Sequence, residues 1–101
     1  MSGGPIRVKV DPLLAEIVPK FLERCTRTAP ELRDAVRSGD LDAARRIGHI
    51  VHGTASSLGF EEMAVIGRKI EQAAREKDSG ALARLADALD DHVSRVQPEF
   101  V

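Results

Sequence analysis

Leu41–Gly59 reads LDAARRIGHIVHGTASSLG. Wound at about 100° per residue, it gathers Ala44, Ile47, Gly48, Val51, Ala55 and Leu58 into one stripe, the spacing of an amphipathic helix with one face toward a core. His49 lies about 150° from the centre of that stripe by the same rotation, among Arg45, Gly53 and Ser56. Its ring is therefore predicted to face solvent. His52 falls on the flank, where both ring nitrogens are expected within reach of water or of a group held at His49. Gly53 sits one turn past His49, at a position where glycine costs about 1 kcal/mol relative to alanine. A bare backbone there clears a path to His49 for an incoming partner. Close packing of another helix is the alternative, and is less expected on a solvent-side position.

Outward from this segment the chain keeps the helical period. Ser38-Gly39-Asp40 stops one helix and caps the next. Before it, Leu14, Val18, Phe21, Cys25, Leu32 and Val36 recur at helical spacings. Asp11-Pro12 reads as a helix start, with a break or new start predicted near Pro19 and a kink near Pro30. After Gly59 a further helix begins near Glu61, with Glu61 and Glu62 in its first turn and Arg75 and Lys77 in its last, suiting the helix dipole. Asp78-Ser79-Gly80 is the next turn, and a last helix carries Leu82, Leu85, Leu89, Val93 and Val96 as far as Pro98. Short links between amphipathic helices favour antiparallel neighbours. The fold class predicted is all-α: an antiparallel up-and-down four-helix bundle with a short N-terminal helix or arm. Residues 1–10, with the alternation IRVKV, are expected as a flexible arm, 11–97 as the bundle and 98–101 as a tail.

At 101 residues there is room for one domain. Apolar residues make up 43% and aromatics 3%, with no Trp or Tyr, so the core must be aliphatic. Fifteen basic and sixteen acidic residues are interspersed for a net charge of −1, which gives no general electrostatic reason to bind nucleic acid or an anionic membrane. No apolar run approaches the ~20 residues that span a bilayer, no signal-peptide pattern is present, and the cytoplasm is the expected location. Cys25 is the single cysteine and is expected as a small core residue. His92 falls beside the last helix's stripe and is expected to be a hydrogen-bonded bundle histidine. Arg24, Arg27, Arg33 and Arg37 read as a solvated face with Glu23, Glu31 and Asp34. Leu13, Leu14 and Ile17 exceed what one helix face can bury; capping of the bundle by the short N-terminal helix is the favoured reading, and partner surface the other.

The stretch HIVHGTASSLG resembles the signature of histidine-containing phosphotransfer domains, H-x-x-K-G-x-x-x-x-x-G, on the second helix of a four-helix bundle. His49, Gly53 and Gly59 stand at its histidine and two glycines, and Ser56, Ser57 and Leu58 suit the small-residue stretch between them. SGDLDAARRIGH resembles the family's approach to the histidine and IEQAAREKD its helix ending. The resemblance runs from about Asp11 to Gln97. It departs at one place: His52 stands where the family has the lysine taken to hold the phosphoryl group. Imidazoles titrate near pH 6.5 and when neutral offer one donor, so His52 is expected to hold a phosphoryl group less well than that lysine.

The resemblance implies a phosphohistidine carrier and not an enzyme with an ATP site. His49 is the expected phosphoryl acceptor, with His52, Ser56, Arg45 and Arg46 around the phosphoryl group and Gly53 and Ile50 on the partner's approach. Expected partners are the receiver domain of a response regulator and a hybrid histidine kinase, with Mg²⁺ carried by the receiver and no cofactor on this chain. A bundle that binds a receiver or kinase without taking phosphate is the alternative. Metal binding by His49 and His52 is disfavoured for want of further ligands.

Overall fold

A computed structural model describes residues 3–101 of the chain; Met1 and Ser2, the first residues of the expected arm, lie outside it. Strand β1 (Ile6–Val10) leads through a single 3-10 turn, Pro12–Leu14, into α1 (Ile17–Cys25), α2 (Thr28–Arg37), α3 (Leu41–Leu58), α4 (Glu61–Arg75), α5 (Ser79–Arg95) and strand β2 (Val96–Phe100). Helices α3 and α5 start where a side chain satisfies free backbone groups, whereas α1, α2 and α4 have no side-chain cap. Asp40 and Asp78 cap α3 and α5 by accepting from the amides of Ala43 and Ala81, both at 3.0 Å. Gly59 ends α3 at φ 89°, a left-handed conformation that glycine alone adopts without cost.

The prolines act as helix openers. Pro19 and Pro30 each stand third in their helix, inside the first turn, where an amide has no intrahelical acceptor to lose. The predicted new start near Pro19 is therefore present, while the predicted kink at Pro30 is instead a break at Thr26 and Arg27 between α1 and α2.

Helices α2 to α5 touch in a ring, α2 on α3, α3 on α4, α4 on α5 and α5 on α2, with α1 resting against α2. Leu32, Phe60, Met63, Ile70, Leu82, Leu89 and Val18 are fully enclosed among alanines, the aliphatic interior that the composition demands. Cys25 is buried with its Sγ 3.8 Å from Met63 Sδ, and burial pushes its thiol up to about 11 against the pull of Arg24. Arg33 departs from the solvated face assigned to it. It reaches across to α5, pairing with Asp87 at 2.7 Å and Asp90 at 3.2 Å.

The α3–α4 seam is the closest in the molecule because two glycines face each other across it. A Cβ on Gly48 would fall 2.8 Å from the Gly67 carbonyl oxygen, and one on Gly67 would fall 2.5 Å from the His52 amide nitrogen. Backbone meets backbone here, and no larger residue fits.

The chain ends correct the expected arm and tail. β1 and β2 form a parallel pair, Ile6 opposite Val96 through Val10 opposite Phe100, so residues 6–10 are a strand and α5 stops at Arg95 instead of running to Pro98. The Val10 carbonyl accepts from Val101 N at 3.1 Å, and that register puts the missing N–H of Pro98 on the outer edge, where a ladder loses nothing. Val10 and Val96 are buried beneath the pair. His92, also buried, lies beside Arg7, Val8, Lys9 and Phe60. Its Nε2 has no hydrogen-bond partner among the described residues, so the expected satisfied histidine is an unsatisfied one. Leu13 and Ile17 are exposed and only Leu14 packs on the core, against the favoured reading that all three are capped. The single 3-10 turn is too short to fold a leucine-bearing face inward.

Candidate functional site

His49 stands midway along α3 on the face turned from the core, its side chain 70% exposed. The stripe opposite it is buried at Ala44, Gly48, Val51 and Ala55, which is why the ring points out. Because Gly48 and Gly67 bring α3 and α4 together, the next turn of α4 sets Glu71 beside the imidazole. Glu71 Oε2 lies 3.4 Å from His49 Nδ1 and 2.8 Å from Arg75 Nη2. The first distance is long for a hydrogen bond, so the carboxylate steers the ring electrostatically and favours the tautomer with its proton on Nδ1. Nε2 is left as the nitrogen with a lone pair toward solvent. Glu71 is itself 9% exposed, and its charge is held by Arg75 from one turn along the same helix.

His52 is placed differently from its expected role. Its Nδ1 is 3.1 Å from the Ala64 carbonyl of α4, which can only accept, so Nδ1 carries a proton and the half-buried ring is fixed against the neighbouring helix. One of the two nitrogens expected to be open is thus engaged. Arg45 and Arg46 both pair with Asp42, Arg45 at 3.2 Å, and Arg45 with Arg46 beside it holds the Asp42 carboxyl below its usual range. Ser56 is exposed, two turns past His49, while Ser57 donates to the Gly53 carbonyl at 3.0 Å. A Cβ on Gly53 would meet nothing within 4 Å. Among the described residues Gly53 therefore serves no packing, and the surface beside His49 is open.

Ile50 is 63% exposed on the edge of an open groove between α1 and α3. His49, Ile50, Gly53, Thr54, Ser57 and Leu58 form one wall, and Glu16, Ile17, Lys20 and Phe21 the other. Phe21 stacks tilted on buried Phe60, ring centres 5.6 Å apart, which fixes α1 at this distance.

Sequence reasoning missed Glu71 and Lys20. Glu71 carried a signal: it follows Gly67 by one turn on a stripe of Ile70, Ala73 and Ala74, a carboxylate on a packing face. Lys20 carried none, since only the fold brings α1 alongside α3. Among the described residues no three His, Cys, Asp or Glu side chains converge as a metal site, and no helix is long and apolar enough to cross a membrane.

Comparisons with curated proteins and with solved structures return no match. A family model described as the Hpt domain matches residues 16–99, from the start of α1 nearly to the end of β2. Domains of this kind are phosphotransfer carriers of phosphorelays that work with receiver domains and histidine kinases. With the match spanning most of the chain and an exposed histidine on its third α-helix, this protein belongs to the Hpt domain family.

Proposed function

We propose that this chain carries a phosphoryl group on His49 Nε2, taking it from and returning it to the aspartate of a receiver domain. The Nε2 lone pair attacks phosphorus in line with the leaving carboxylate oxygen. The N–P bond forms as the acyl P–O bond breaks, and that bond's electron pair returns to the aspartate. The Nδ1 proton stays in place, so positive charge grows on the ring as phosphate arrives, facing the Glu71 carboxylate. The return step reverses the same bonds. The receiver supplies Mg²⁺ and the acidic pocket; this chain supplies the nucleophile, its orientation and the surface around it.

The observation that carries the reading is the asymmetry of the ring, Nδ1 turned to Glu71 and Nε2 left on an exposed face beside the open backbone of Gly53. The receiver is read as docking over Ile50 and the apolar groove, with a hybrid kinase as a further partner and the cytoplasm as the compartment. We read the helices as an antiparallel up-and-down bundle, because Ser38–Asp40, Gly59–Phe60 and Glu76–Asp78 are too short to return the chain along a helix.

Incubation with a phosphorylated receiver should give an acid-labile, base-stable phosphate on this chain. His49→Gln should abolish it and His52→Gln should retain it. Label that survives in His49→Gln, or that disappears only with His52, removes the assignment.

A further inference from the structure

A phosphoryl group on an exposed imidazole carries about two negative charges, and a carrier that holds one without a metal needs a cation against it. Arg45 and Arg46, the cations nearest His49 in sequence, are engaged with Asp42, and Arg75, across the seam, with Glu71; Arg68, exposed on α4 between Ala64 and Glu71, takes part in no ion pair among the described residues but does not line the groove before His49. His52 is tethered to the Ala64 carbonyl. Lys20 projects from α1 into the same groove that His49 lines from α3, it is exposed, and among the described residues it takes part in no ion pair. An ammonium on a flexible stem is suited to follow a group that comes and goes. Glu16, one turn before it on the same wall, does not reach it as an ion-pair partner and is the one opposing charge on that side.

We propose that Lys20 is the phosphoryl-contacting cation of this carrier, supplied by a neighbouring helix instead of by the helix that holds the histidine. This rests on His49 as the acceptor. The ammonium faces the phosphoryl oxygens on Nε2 from across the groove, screens them from water and slows hydrolysis of the N–P bond. Glu16 acts with the opposite sign.

The test uses the full chain loaded with phosphoramidate, so that no receiver is needed: Nε2 displaces ammonia from phosphorus, and decay of the phosphohistidine is followed by ³¹P NMR. Lys20→Met should shorten the half-life by about three- to fivefold, the effect of an exposed ion pair at the upper end of its range, and should remove most of its salt dependence. Lys20→Arg should preserve the half-life, Glu16→Gln should lengthen it, and His52→Lys should restore it in the Lys20→Met background. A Lys20→Met half-life equal to that of the unaltered chain overturns the proposal, including the case in which only transfer from a receiver is slowed, which would make Lys20 a docking residue. A shortening seen instead in Arg68→Met, in Arg75→Met or in Arg45→Met with Arg46→Met assigns the role elsewhere and also overturns it. Failure of the unaltered chain to label at His49 is a different result, and defeats the acceptor reading itself.

Discussion

Glu71 divides one carboxylate oxygen between His49 and Arg75, and that sharing tunes the site. Arg75 pairs with the buried carboxylate, which faces the edge of the ring where positive character grows during phosphoryl capture. Glu71→Gln retains an acceptor for the Nδ1 proton and loses the charge. Chemical phosphorylation by phosphoramidate should slow about tenfold, in line with the loss of about 1.4 kcal/mol of transition-state stabilisation, while the circular dichroism spectrum stays unchanged. An equal rate in the two proteins would mean that the carboxylate only orients the ring. At this scale the sequence was legible for His49, whose exposure follows from helical rotation alone, and illegible for its neighbours. Which nitrogen of His52 is engaged, and that Asp42 holds both Arg45 and Arg46, depend on side chains choosing among several partners that periodicity does not rank.

The helices were legible wherever one residue type dominates a backbone requirement: Asp40 as a cap, Gly59 as the end of its helix, Asp78-Ser79-Gly80 as a turn, the apolar stripes as core. Glycines inside helices were harder, because three of them have unlike reasons. Gly48 and Gly67 form the α3–α4 contact, whereas Gly53 faces open space. Alanine separates the cases. Gly67→Ala drives a methyl into the α3 backbone and should cost about 1–3 kcal/mol in urea denaturation, and in parting the helices it should also draw Glu71 from His49. Gly53→Ala should raise stability by about 0.5–1 kcal/mol through helix propensity. It should leave labelling by phosphoramidate intact and slow transfer from a receiver. Unimpeded transfer in Gly53→Ala would show that the bare backbone is not there to admit a partner.

On the scale of the whole molecule, the one feature that periodicity concealed is the joining of the two ends. IRVKV announces an extended segment but not its partner. A parallel pair needs a crossover, and here residues 11–95 are that crossover, so no local signal reports it. Pro98 was read as a helix stop because a proline on the outer edge of a strand looks the same in sequence. The pair covers His92, whose ionisation burial opposes most, with Arg95 adding to that and Glu62 and Asp91 pulling the other way; Arg7 and Lys9 of β1 lie beside it. Its folded value is therefore below its unfolded one, near 6.5. Stability contributed by the neutral ring is complete above about pH 6.5 and is lost as pH falls from there through the lower folded value.

His92→Phe removes both the titration and the unpartnered Nε2. Between pH 8 and 5 its stability should fall less than that of the unaltered chain, and at pH 8 it should be no less stable. Deleting residues 1–10 takes away the cover itself, buried Val10 included, exposing Val96 and rehydrating His92. That deletion should cost about 2–4 kcal/mol at pH 8 in urea denaturation and lessen the acid sensitivity in the same protein, while His49 still accepts phosphate from phosphoramidate. The two effects have one cause, the dry contact of β1 with the end of α5. A deletion that lowers stability yet keeps the full difference from its own His92→Phe derivative between pH 8 and 5 would mean that the ring is kept dry by the helices alone.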